Sequence, residues 1–240
     1  QGPKSREILL SMVDDIEKLE YYTFDEFEVL GEKVIVSRTG YTGELGYEIF
    51  ITNSSHGNDL YNTIMDIGFP MGLKPGHTST IRRIEGGMLS YHADMTINTN
   101  PLELGMQKFI ELDKDFNFIG KDALIDLNNN GLSRKQVGII INDKPMKGPN
   151  TRFWDVIKND VVVGKVTSAV YSPRLKLNIG IAMVKIEFSD IGEELKINNG
   201  IKILDENIPG VGNQRPIVRW AFEEDAEVGD IKRFNVPNGY

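Results

Sequence analysis

Gly40-Tyr41-Thr42-Gly43-Glu44-Leu45-Gly46-Tyr47-Glu48 spaces three glycines at intervals of three between two stretches of strand character. Lys33-Val34-Ile35-Val36-Ser37-Arg38 leads into it and Tyr47-Glu48-Ile49-Phe50-Ile51 leads out. Glycine adopts positive φ without strain and lets another group come close to the backbone. A tight turn carrying a solvated glutamate is one account of the stretch. The other is that the bend holds Glu44 rigidly at a cleft. A fixed carboxylate accepts two hydrogen bonds side by side, which suits a flat ligand edge with adjacent N–H donors, as in pterins and purines.

Outward from this bend the chain reads as mixed helix and strand. Pro3 fits a first helical turn, and Ile8, Leu9, Met12, Val13, Ile16 and Leu19 mark one helical face. Phe27–Leu30 and Lys33–Arg38, separated by Gly31-Glu32, predict a hairpin. Gly57 to Ile67 predicts a helix with Gly68 as its C-terminal cap, and a second helix is expected from Thr78 to about Met88. Phe109–Leu112 reads as extended, and Gly120 to Leu127 as a short helix. Asn128-Asn129-Asn130-Gly131 offers nothing to bury and reads as a linker. Beyond it come Val137–Ile141, Val161–Tyr171, Asn178–Ile186, Leu195–Ile197 and Ile201–Leu204, a β-rich region expected to form a small barrel or sandwich. The fold expected is α+β, with an α+β region over 1–130, a β-barrel over 131–220 and an acidic tail over 221–240.

Composition excludes several classes. The 240 residues contain no cysteine, which removes disulfide scaffolds, thiolate metal sites and a cysteine nucleophile, and favours a reducing compartment, the cytoplasm. A formal charge of −8 argues against a nucleic-acid partner, which would need a basic stripe. No apolar run approaches the roughly 18 residues of a membrane span, and no secretory signal is expected from the short run Ile8–Leu10 followed by Asp14 and Asp15. His56, His77 and His92 are the only histidines and no pair has metal-ligand spacing, so no metal is expected. Neither a Gly-x-Ser-x-Gly elbow nor a phosphate-cradling glycine loop occurs.

Two further stretches stand out. In Arg82-Arg83-Ile84-Glu85-Gly86-Gly87-Met88 an ion pair between Arg82 and Glu85 at i,i+3 is the simplest reading, while Arg83 with the glycine pair could mark a helix end pressed against another backbone. Ser172-Pro173-Arg174-Leu175-Lys176 is a basic turn between strands, either a solvated loop or an anion contact.

Taken together and in order, these motifs resemble the folate-dependent one-carbon transferases related to the T-protein of the glycine cleavage system. The resemblance runs through Gln1-Gly2-Pro3-Lys4-Ser5, Ser37 to Ile49, Arg83 to Met88, Asn100-Pro101-Leu102-Glu103-Leu104-Gly105, Phe118 to Leu124, Ser172 to Lys176 and Asn178 to Ala182. Within that family, Glu85 to Tyr91 and Asp94-Met95-Thr96 look more like the dimethylsulfoniopropionate demethylase branch. T-proteins usually carry an Arg-Asp pair opening the helix before the glycine run; here those places hold Ser79 and Thr80, which argues for a different methyl donor.

The resemblance implies α+β layers and a C-terminal barrel around a tetrahydrofolate channel. It makes Glu44 the partner of the pterin edge, flanked by Arg38, Tyr41 and Tyr47, with Arg83, Arg174 and Lys176 as cations for the anionic tail. Tyr91 and Trp154 are the aromatic candidates for a cationic one-carbon donor, a small-molecule methylated amine or sulfonium. Tetrahydrofolate N5 would attack that carbon, the protein supplying alignment and charge placement. The family's catalytic aspartate lies upstream of the Gln-Gly-Pro segment at which this chain begins, so no catalytic residue is assigned. The chain is expected to be the C-terminal portion of a longer enzyme, with self-association through the apolar surface so left. A T-protein-type aminomethyltransferase, the folate domain of a dimethylglycine or sarcosine dehydrogenase, and a non-catalytic folate-binding module remain as alternatives.

Overall fold

A computed structural model describes residues 1–198 and the backbone of the strand at 214–220. The chain divides into two compact units, Gln1–Gly86 and Gly87–Tyr240.

The first unit opens with helix α1 (Ser5–Leu10) and continues into an antiparallel sheet of β1 (Phe24–Val29), β2 (Glu32–Ser37) and β3 (Glu48–Ile51), in the order β1-β2-β3. The first hairpin turns on Leu30 and Gly31, with φ of 54° and 76°. Positive φ at both central positions is what a two-residue turn needs to match the right-handed strand twist. The helical face predicted from Ile8 to Leu19 supplies the core, since Leu9, Val13, Ile16 and Leu19 pack with Val34 and Val36. The helix itself is shorter than that spacing suggests. It stops at Leu10, and after Asp15 takes a left-handed φ of 62° a single 3-10 turn, Ile16–Lys18, follows. Asp14 and Asp15 would oppose the negative end of a longer helix, and aspartate tolerates the left-handed conformation.

Helix α2 (Gly57–Gly68) runs on into a 3-10 turn at Phe69–Met71, and the left-handed stop falls at Gly72, φ 94°. Gly68 is therefore not the cap. It is a close-packing position, where a Cβ would meet Leu73 Cβ at 2.8 Å. Helix α3 spans only Thr80–Glu85, not 78–88: the Ser79 hydroxyl accepts the Arg82 N–H at 3.3 Å, and Gly86-Gly87 ends the helix.

In the second unit, residues expected to be extended at 109–112 begin instead as a 3-10 turn, Gln107–Phe109. Helix α4 (Lys121–Asn130) carries through the asparagines read as a linker and ends at Gly131, φ 83°. Asparagine is a weak helix former but no breaker, so an exposed last turn accommodates three of them.

The β-rich region is a closed antiparallel barrel of β4 (Arg134–Ile141), β5 (Trp154–Lys158), β6 (Val161–Ser172), β7 (Leu177–Lys185), β8 (Glu194–Asn198) and β9 (Gln214–Trp220), in the order β4-β7-β6-β5-β8-β9. Closure removes the exposed edges an open sheet would present. Alternate residues fill the interior, among them Val137, Ile139 and Ile141 of β4 and Leu195 and Ile197 of β8. The strand expected at Ile201–Leu204 and the tail over 221–240 lie outside the described residues.

A polar clip ties the segment before the barrel to its first strand. The Asn100 side chain accepts the Glu103 N–H at 3.0 Å, and Glu103 Oε2 accepts the Asn100 N–H at 3.2 Å. This is the reciprocal pattern of a capping box. The same carboxylate receives Arg134 Nε at 2.8 Å and Nη2 at 3.1 Å, a bidentate pair that raises the guanidinium's pKa above its ordinary value. Glu103→Ala removes these acceptors and should lower the unfolding free energy by about 2 kcal/mol, discounted because Arg134 is partly exposed. Denaturant titration of the barrel's tryptophan fluorescence checks it.

Candidate functional site

The glycine bend of the first unit is built around one side chain. Gln1 lays its carboxamide between Gly40 and Gly46, where a Cβ on either glycine would overlap it. Its Nε2 donates to the carbonyls of Thr39 at 3.3 Å and Tyr47 at 3.2 Å, and its Oε1 accepts from the Thr42 hydroxyl at 3.0 Å. The following residues add to the grip: Gly2 N–H donates to the Leu45 carbonyl at 2.7 Å, and Ser5 Oγ donates to the same carbonyl at 3.1 Å. The loop is thus held in the manner of a strand pairing, but by the Gln1-Gly2 segment and the Gln1 side chain.

The far side of the bend touches the end of α3. Gly43 has φ of 67°, and a Cβ there would lie 3.1 Å from Gly86 Cα. The two glycine motifs suit one another, since a Cβ at either position would press on the other's backbone at 3.1–3.2 Å. Their approach brings Glu44 to Arg82, whose Nη1 lies 3.5 Å from Glu44 Oε1 and 3.4 Å from Glu85 Oε2. Glu85 is 2% exposed and Glu44 24% in their side chains, while Arg82 is 44% exposed. The i,i+3 pair read from sequence is present, but Arg82 also reaches across to Glu44. That second contact joins residues 38 apart in the chain, and no local spacing announces it.

The other predicted residues of this unit are placed as follows. Arg38 directs Nη1 to the Leu19 carbonyl at 3.3 Å and lies 5.9 Å from the centre of the Tyr21 ring. Beside it, burial and then the Tyr21 hydroxyl push the Tyr22 phenol up to about 12. Tyr47 packs in the core, and its hydroxyl accepts Arg6 Nε at 3.1 Å. Tyr41 is half-buried on the bend, and Arg83 is buried on α3. A cleft of about 430 Å³ opens next to the clamp, lined by Gln1, Pro3, Ile8, Tyr47, Ile64 and Leu73 among others, with Lys4 and Lys74 as its cations.

Tyr91, Trp154, Arg174 and Lys176 belong to the second unit. Tyr91 is exposed and meets the His92 ring at 4.4 Å. Trp154 packs against the barrel core from the start of β5. Arg174 and Lys176 lie in the exposed turn between β6 and β7. The structure also reveals a buried carboxylate that sequence spacing did not single out as a site. Asp94 Oδ1 accepts from Thr167 Oγ1 at 2.7 Å and Ser168 Oγ at 2.6 Å, and its Oδ2 accepts the Ser90 N–H at 2.9 Å. Consecutive strand residues normally face opposite ways; the irregular register of β6 at 166–168 turns both hydroxyls to one oxygen.

The histidines are dispersed. His56 meets Glu32 at 3.2 Å, His77 Nδ1 lies 2.9 Å from the Thr78 carbonyl, and His92 meets Tyr91 edge to face. Among the described residues no cluster of acids or histidines has the arrangement of a metal site, and no helix is long and apolar enough to cross a membrane.

An α+β unit whose glycine bend presents a carboxylate, followed in the same chain by a closed antiparallel barrel, defines the two-part class of protein to which this one conforms. Residues 1–114 match the family described as the GCVT N-terminal domain, and residues 134–205 match the glycine cleavage T-protein C-terminal barrel domain. The aminomethyltransferase of Thermoanaerobacter sp. is 38% identical over 204 residues, 82% of this chain and 53% of the relative. That of Caldanaerobacter subterraneus is 38% identical over 219 residues, 86% of this chain and 56% of the relative. The crystal structure of glycine cleavage system aminomethyltransferase T from Bartonella henselae superposes with a TM-score of 0.74 at 20% identity, covering 92% of this chain and 56% of that one. The chain belongs to the glycine cleavage T-protein family, and its fold corresponds to part of that family's multidomain fold. It spans about half the length of the curated relatives it matches.

The close approach of Gly43 to Gly86 yields a direct test. Gly43→Ala combines left-handed strain with a contact to immovable backbone and should cost about 2–4 kcal/mol. Gly31→Ala, at φ 76° with nothing within 4 Å of the added methyl, should cost only the strain, about 1–2 kcal/mol. Paired unfolding curves of the two variants measure the difference.

Proposed function

We propose that this chain takes part in tetrahydrofolate-dependent one-carbon transfer, with Glu44 as the group that holds the pterin. The observation that carries the reading is the placement of Glu44. Its carboxylate is presented by a bend fixed on one side by Gln1 and on the other by Gly86, and it already receives one nitrogen of a planar guanidinium. The 2-amino and N3–H edge of a reduced pterin offers the same fork of two parallel donors, so the donor set fits the ligand.

Tetrahydrofolate would supply the N5 nucleophile that accepts the carbon. The work of the chain is then orientation: a rigid carboxylate fixes the bicyclic head in its plane, and alignment of this kind converts binding into rate. Arg83, Arg174 and Lys176 are the cations we assign to the anionic tail, Arg38, Tyr41 and Tyr47 the flanking groups, and Tyr91 and Trp154 the aromatic faces for a cationic donor. The relatives' name, aminomethyltransferase, supports an aminomethyl group as the unit transferred. A methylated amine or sulfonium donor is the second reading, favoured by Ser79 and Thr80 standing where the family carries its Arg-Asp pair; here Ser79 serves as the cap of α3.

Glu44→Gln keeps the shape but turns one acceptor into a donor facing the ligand's own N–H. Tetrahydrofolate affinity in calorimetric titration should fall by about 10–100-fold, the loss expected for a charge-assisted pair. The circular dichroism spectrum should not change. Undiminished affinity would remove Glu44 from the pterin site.

A further inference from the structure

We infer that Arg82 is an exchangeable stand-in for the ligand, a specificity-determining residue that occupies Glu44 until a donor pair displaces it; this rests on the reading of Glu44 just given. A guanidinium and the amino-pyrimidinone edge of a pterin are chemically alike where a carboxylate meets them. Each is planar and offers parallel N–H donors. The two therefore compete for the same acceptors and cannot both be fully engaged with Glu44.

The geometry provides for the exchange. The Arg82 contact is long, 3.5 Å, and involves one carboxylate oxygen, Oε1. The same Nη1 also lies 3.4 Å from Glu85 Oε2, an oxygen of a side chain that is 2% exposed. When Glu44 turns to the ligand, Arg82 keeps a partner, so the buried Glu85 carboxylate is not left with a lost charge contact. Arg82 sits on α3 three residues from Glu85, where such pairs form within a helix without help from the bend. Its side chain is 44% exposed, which leaves it free to rotate without opening the core.

An occupied acceptor also filters ligands. A group with two correctly spaced donors can engage both oxygens of Glu44, where Arg82 holds one at 3.5 Å. A single amine or hydroxyl only exchanges one single-point contact for another, so the resident arginine favours the forked edge.

The test uses the 240-residue chain and a tetrahydropterin with no glutamate tail, so that tail-binding cations do not contribute. In Arg82→Leu the competitor is gone, and affinity should rise by about three-fold, the scale of an exposed ion pair. Wild-type affinity should tighten as salt screens the Arg82–Glu44 contact, while the Arg82→Leu variant stays flat. Arg82→Lys, a cation without the planar fork, should fall between the two. Equal or weaker binding by Arg82→Leu, with wild type binding well, overturns the exchange but leaves Glu44 as the pterin partner. Absence of binding by every form, with tetrahydrofolate as well as the tail-free compound, overturns both readings.

Discussion

The first unit depends on the carboxamide of Gln1. Three of its hydrogen bonds go to one loop, to the carbonyls of Thr39 and Tyr47 and to the hydroxyl of Thr42. A loop of this length between strands would otherwise leave its inner polar groups without partners, a penalty of the same order as a lost hydrogen bond for each. The amide can enter only because Gly40 and Gly46 present no Cβ. This one contact explains why the Gln1-Gly2-Pro3 segment and the glycine bend, far apart in sequence, form a single structural feature. It also fixes the backbone of Glu44, whose N–H rests on the Thr42 hydroxyl at 3.3 Å.

The second unit solves a similar problem with carboxylates. Asp94 and Glu103 are both nearly buried, and each gathers donors from distant parts of the chain. Asp94 relies on the bulge in β6, which places Thr167 and Ser168 on the same oxygen. Glu103 closes its own turn and then captures Arg134. In both cases an acidic side chain replaces the regular ladder where the chain is neither helix nor strand. Burial of such a group is tolerated because its lone pairs are met by hydroxyl, amide or guanidinium hydrogens.

The legible parts of the sequence were those governed by local periodicity. Burial of Leu9, Val13, Ile16 and Leu19 followed from their spacing, as did the barrel strands with long β-branched runs. Helix ends were harder. Asp15 and Gly72 carry the left-handed turns, and choosing them over Gly68 requires knowing that Leu73 fills the space beside that glycine. Strand β5 is short, and β9 contains Pro216, so neither has the pattern that marks a strand in isolation. At the site, Glu44 and Arg82 were each visible, the first from its glycines and the second from its helical pair with Glu85. Their meeting was not, because it depends on two glycines touching across a tertiary contact, and such a contact leaves no period in the sequence.

The residues of the bend differ in what their identity serves. Gly40, Thr42 and Gly46 answer to Gln1, Gly43 answers to Gly86 and to its own left-handed backbone, and Tyr47 answers to the core and to Arg6. Glu48 receives the Thr39 hydroxyl. Each of these requirements is internal to the folded unit and would hold in a protein with no ligand at all. Glu44 is different in kind. Its ion-pair partner is a partly exposed arginine that has a second carboxylate to turn to, so that contact adds little to stability. A bend whose glycines, Thr42, Tyr47 and Glu48 answer to the fold, and whose Glu44 meets a long contact from an arginine that Glu85 also holds, supports the recognition role proposed for Glu44.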